Sequence, residues 1–83
     1  MKELQIKTEY ITLQQFLKIE DIISSGGEAK YYLAENEVFV NGELENRRGR
    51  KLYPDYIVKV EGKEYLIKWF QSLSLLILEN LII

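Results

Sequence analysis

Along the chain the spacing of apolar and polar positions changes period several times, and each change marks an element. From Glu3 to Thr8, Leu4 and Ile6 fall on one side and Gln5 and Lys7 on the other. This is the period-two signature of a half-buried strand, and a short edge strand is expected here. At Thr12 the period lengthens: Leu13, Phe16 and Leu17 recur at the i, i+3, i+4 spacing of one helical stripe, which Ile22 and Ile23 extend past Glu20 and Asp21. Thr12 and Gln15 have capping-box spacing, in which the hydroxyl accepts from the amide three residues on and the Gln side chain reaches back. Ser25-Gly26-Gly27-Glu28 repeats the device. It opens a second helix of about ten residues, with Ala29, Tyr32 and Leu33 inside and Asn36 as a left-handed closing residue. With so few residues between them, the helices must pack as an angled pair.

Period two returns at Val38-Phe39-Val40, and Asn41-Gly42 behind it is a strong two-residue hairpin signal. Glu45 to Lys51 contains no apolar residue. It reads as an exposed loop that gives nothing to the core, so reversing its charges should leave the fold intact. Leu52-Tyr53-Pro54-Asp55 has turn chemistry. Tyr56, Val58 and Val60 then share one strand face, Glu61-Gly62 turns the chain, and Lys63 to Phe70 alternates again. The first strand and these later ones suit one small sheet beneath the helices. The fold class is α+β: two short packed helices on a small, mostly antiparallel β-sheet.

The end of the chain has a different texture. From Trp69 to Ile83 ten of fifteen residues are apolar, with no clean polar face at helical spacing. Leu73 to Ile83 is far shorter than the roughly 20 residues a membrane span needs, so no membrane contact is expected. The division predicted is one domain over 1–70 and an apolar tail over 71–83. Residues 69–83 could cover the core, meet a second copy or a protein partner, or be dispensable.

Composition narrows the chemistry. Eighty-three residues make one domain. The absence of cysteine and histidine removes disulfides, thiolate and imidazole nucleophile pairs and nearly all zinc chemistry. No catalysis, metal or cofactor is therefore expected. The opening Met1-Lys2-Glu3-Leu4-Gln5 lacks the basic end and apolar run of a secretory signal, which suits a cytoplasmic protein. Eleven basic and thirteen acidic residues give a net charge of −2, yet four of those cations and one acid lie between Leu44 and Pro54. That window carries +3 and the remainder −5, so an acidic body bears one basic loop.

Arg47, Arg48, Arg50 and Lys51 are therefore the candidate anion-binding groups. Their forks and ammonium can neutralise phosphates, and Gly49 lets a backbone approach closely. Lys18 and Lys30 are the helix-borne cations that would extend the patch. Gly26 and Gly27 fit either a tight turn and close helix approach or open amides facing a phosphate. Among the tyrosines, Tyr31 and Tyr53 are the ones singled out for base stacking, although amphipathic core and rim positions explain most of the six.

In order and spacing these segments resemble the S4 RNA-binding domain family. Ser25, Ala29, Lys30, Leu33, Val38, Val40, Asn41 and Gly42 stand where its helix, strand and turn motif places those residue types. Thr12, Gln14 and Gly26 stand where the generic motif has Arg, Asp and Arg, and Asp55-Tyr56 replaces Gly-Asp. The strings ITLQQFLK, SGGEAK and ENRRGRKLY are closer to the small stand-alone bacterial S4 proteins of the YaaA type. The resemblance covers about residues 8 to 60. It implies the S4-like αL fold and binding of structured RNA, ribosomal RNA or a ribosomal particle in ribosome assembly. The competing reading is a protein–protein adaptor that works through the apolar C-terminal segment, with weak or no RNA binding.

Overall fold

The capping box at Thr12 forms as its spacing requires. Thr12 Oγ1 accepts from the Gln15 amide at 3.2 Å, and Gln15 Oε1 accepts from the Thr12 amide at 2.8 Å. The computed structural model describes residues 1–70. In chain order these are strand β1 (Lys2–Ile6), strand β2 (Ile11–Thr12), helix α1 (Leu13–Ile19), a 3₁₀ turn (Gly26–Glu28), helix α2 (Ala29–Glu35) and strand β3 (Val38–Val40). Strands β4 (Glu43–Leu44), β5 (Lys51–Leu52), β6 (Ile57–Val60) and β7 (Lys63–Trp69) follow. The expectations for 71–83, and with them the tail's part in any interface, lie outside the described residues.

Five strands form one sheet in the order β1-β7-β6-β3-β4. β1 lies on the edge, as its alternation suggests, and runs parallel to β7, while the other pairs are antiparallel. Asn41 and Gly42 both have positive φ, 51° and 83°. Together with the Val40–Glu43 pairing this is the turn whose twist matches the flanking strands, and glycine accepts the second position without steric cost. Asn41 does more than turn the chain. Its amide donates to Ile57 O at 2.8 Å and its side-chain oxygen accepts from the Ile57 amide at 2.9 Å, carrying the β3–β6 ladder one residue further.

Helix α1 ends in a Schellman arrangement. Asp21 has φ 58°, its amide donates to Lys18 O, and the Ile22 amide donates to Leu17 O. Ile22 and Ile23 thereby fold back toward the core, as the sequence stripe anticipates. Leu13, Phe16 and Leu17 are fully buried, beside Ala29 and Leu33 of α2 and Val38, Val40, Val58, Val60 and Ile67 of the sheet. Phe16 meets Tyr65 edge-on with ring centres 5.1 Å apart, a favoured aromatic geometry.

The second helix departs from expectation in its caps. The ten-residue helical stretch is present, but its first turn is 3₁₀, and Ser25 makes no side-chain bond to a helix amide. Glu28 instead accepts from the Ser24 amide at 3.4 Å and the Ser25 hydroxyl at 3.5 Å, both long contacts. Asn36 is extended, with φ −128°, and closes α2 by donating from its side chain to Tyr32 O at 3.0 Å. A second surprise is β2 with β5. These two-residue strands make a separate ribbon pairing Ile11 with Leu52 and Thr12 with Lys51. Leu52, expected to lie in a turn, is fully buried.

Candidate nucleic-acid interface

The basic segment grows directly out of the β3–β4 hairpin, where the Glu45 amide donates to Val38 O at 2.8 Å. This places the Glu45 carboxylate inside the loop, with the residue only 5% exposed. A carboxylate that leaves water needs donors, and five reach it. Oε2 accepts from the amides of Asn46 at 3.1 Å and Arg47 at 3.0 Å and from Arg47 Nε at 3.0 Å. Oε1 accepts from Arg47 Nη2 at 2.9 Å and Arg50 Nη1 at 3.0 Å. The loop expected to be wholly solvated is thus organised about a buried charge. Reversing Arg47 and Arg50 would strip that charge of its partners, so the expectation that the loop tolerates such reversal is corrected.

The same bonds set the acidity of Glu45. Chiefly through the Arg47 side chain, against the opposing effect of burial and with help from the Arg47 amide and Arg50, its pKa is lowered from 4.5 to about 2. Because the folded value lies below the unfolded one, its contribution to stability is complete above about pH 4.5 and is lost as pH falls toward 2. We expect this to amount to about 2 kcal/mol once solvent screening at the exposed Arg47 is allowed for. Thermal unfolding followed by circular dichroism between pH 5 and 2 checks it. The parent should lose stability more steeply than Glu45→Gln, and parallel curves would refute the assignment.

The loop is also fastened to α1. The Leu13 amide donates to Arg50 O at 2.8 Å and the Gln14 amide to Arg48 O at 2.9 Å, while the Arg50 amide closes a turn onto Arg47 O at 3.1 Å. The loop's carbonyls therefore satisfy the first amides of α1, which the capping box leaves open. With the β2–β5 pairing, this fixes the loop backbone on both sides.

The four predicted cations consequently divide into two pairs. Arg47 and Arg50 hold Glu45. Arg48 and Lys51 are exposed, and among the described residues neither forms an ion pair. Lys51 Nζ lies 4.8 Å from the centre of the Tyr10 ring, and the Arg50 guanidinium 5.9 Å from that of Tyr56. Those rings belong to a row: Tyr10 and Tyr53 are 5.5 Å apart, and Tyr53 and Tyr56 5.7 Å. An open cleft is lined by Arg47, Gly49, Arg50, Lys51, Tyr53 and Tyr56.

The other predicted residues lie at different distances from this centre. Lys30 shares a cleft with Glu45 and Asn46, at the root of the loop. Gly26 sits against Gln14, whose amide holds Arg48 O, and a Cβ at that glycine would come within 2.5 Å of Gln14 Nε2. Gly26 has no positive φ, and the atom a Cβ would meet is the flexible end of the Gln14 side chain, so its place is one of close approach that the neighbour can relieve. Gly27 faces open space. Lys18 is in the last turn of α1, at the end away from the loop, and among the described residues no ion pair ties it there. Tyr31 is 70% exposed on α2 and stands outside the tyrosine row.

Glu45 is the residue that sequence reasoning passed over, while Tyr10 and Tyr56 are tyrosines that it ranked below Tyr31 and Tyr53. The ribbon supplies the missing signal for Tyr10. Ile11 opposite Leu52 continues in register to Tyr10 opposite Tyr53, and aromatic residues so placed meet across the strands.

The chain is 59% identical over 59 residues to the probable ribosome maturation protein RlbA of Bacillus subtilis (strain 168), which covers 71% of this chain and 83% of that protein. Residues 4–68 match the S4 domain, from β1 through the helix pair and the basic loop to nearly the end of β7. By that match, which takes in most of the sequence, and by the α+β fold that carries it, the chain belongs to the S4 domain family.

Proposed function

We propose that this protein is a non-catalytic RNA-binding module that contacts structured ribosomal RNA, or a ribosomal particle during its maturation. The observation that carries the reading is the loop clamped by Glu45. A backbone fastened to α1 and to the β3–β4 hairpin presents Arg48 and Lys51 to water, without ion-pair partners among the described residues, at the strongly basic place on an acidic chain. A backbone already fixed need not be ordered on meeting phosphates, and binding gains from the counterions that the cations release. Arg47 and Arg50 add positive potential while they order the loop, Lys30 extends it at the loop's root, and Gly26 and Gly27 keep side chains away from its flank. Lys18 is the outermost member of the patch. Membership of the S4 family and the name of the Bacillus relative point to the same class of partner. The absence of histidine and cysteine agrees with binding in place of catalysis.

The test is a salt titration of binding to fragments of large-subunit ribosomal RNA. Three to four phosphate contacts predict affinity falling roughly 10- to 100-fold between 50 and 200 mM monovalent salt. Affinity that is absent, or indifferent to salt, would overturn the reading and favour an adaptor working through apolar contacts.

A further inference from the structure

We infer that the row of Tyr10, Tyr53 and Tyr56 is a stacking site for an unpaired nucleobase, set beside the phosphate-binding cations. The inference rests on the RNA-binding reading above and adds a ligand feature to it: a bulged or looped-out base next to a paired stem.

Four observations converge on this row. The domain's core closes without Tyr10 and Tyr53, neither of which belongs to it, and Tyr56 only borders it. All three rings are nevertheless half-buried and in mutual contact, so each is held in place by its neighbour before any ligand arrives. Their hydroxyls find no hydrogen-bond partner among the described residues, in contrast to Tyr32, whose hydroxyl donates to Glu61 at 2.9 Å. They are thus free to bond the edge of a bound base. Finally, cations stand at both ends of the row, Lys51 over Tyr10 and Arg50 over Tyr56. The rings are tilted to one another by 48° and 60°. A base would therefore lie on one ring face, that of the central Tyr53, with a positive group toward its phosphate on either side. Duplex bases are already stacked and cannot use such a platform. An unpaired base can, whatever its identity, because every base has a π-face.

The experiment compares three RNAs sharing one stem sequence: a fully paired duplex, the same duplex with a single bulged adenosine, and one with an abasic residue at the bulge. Stacking contributes about 1–3 kcal/mol per base, so the parent should prefer the bulged adenosine to the other two by at least about fivefold. Tyr53→Leu should bring the bulged RNA down to the level of the duplex, and Tyr53→Phe should retain the preference. Tyr10→Leu, at the edge of the row, provides a second removal should Tyr53→Leu fold poorly. Equal binding of bulged and abasic RNA by the parent, or a preference that survives both leucine substitutions, would overturn the inference while leaving phosphate binding in place. A parent that binds none of the three would overturn the RNA-binding reading and this inference with it.

Discussion

Arg50→Glu is expected to destabilise the domain by about 3–5 kcal/mol, the range for breaking a buried ion pair by removal of one partner. For a domain of this size that is a large share of a folding free energy on the order of 5–10 kcal/mol. Arg50 is the better buried of the two arginines on Glu45, its side chain 25% exposed against 69% for Arg47. The shorter new side chain would leave Glu45 Oε1 without its Arg50 donor and would bring a second negative charge near it. It would also loosen the backbone whose carbonyl receives the Leu13 amide, so damage to the loop spreads to the start of α1. The neighbouring Arg48→Glu has no such contact and should change stability by less than about 0.5 kcal/mol. Urea unfolding of the two variants beside the parent decides the matter, because equal midpoints would show that Glu45 is not held by Arg50. The practical consequence is that reversing Arg47, Arg48 and Arg50 together confounds unfolding with loss of a binding surface.

Why this was hidden in the sequence, when much else was plain, follows from the kind of signal each element leaves. β1, α1, β6 and β7 bury one face along most of their length, and a repeated apolar position announces that. Asn41-Gly42 is legible for another reason, since few other pairs accept two consecutive positive φ angles. β2 and β5 are two residues long, and no period can show in two residues. Leu52, a single apolar residue behind a run of charge, is indistinguishable from the start of a turn until Ile11 is found opposite it. Glu45 leaves no signal of burial at all. Its carboxylate is enclosed because the chain closes back over it and supplies five donors, an outcome fixed by the loop's path and not by local composition. Ser25 and Glu28 show the converse error, where capping-box spacing is present and the 3₁₀ geometry of the following turn gives the carboxylate other donors.

The site was legible as a region and not as a division of labour. Four cations in five positions mark a basic loop whatever its shape, and the resemblance to the S4 family implied an RNA partner for it. Which of them face water depends on Glu45, and that changes which substitutions isolate function. The cleanest is the double reversal Arg48→Glu/Lys51→Glu. It removes the two proposed phosphate contacts and installs repulsion while leaving both arginines on Glu45 and every backbone bond from the loop to α1. We expect RNA affinity at low salt to fall at least roughly 10- to 100-fold and the slope of log affinity against log salt to shrink by about two. The midpoint of thermal unfolding should stay within a few degrees of the parent. Lys18→Glu, at the far end of α1, should move the slope by at most about one. Fluorescence anisotropy with labelled ribosomal RNA fragments at several salt concentrations, with melting curves on the same samples, measures all of these. A double variant that folds normally and keeps the parental slope would mean that phosphates are met elsewhere on the domain. A slope lost equally through Lys18→Glu would mean that the patch spans both ends of α1 instead of centring on the loop.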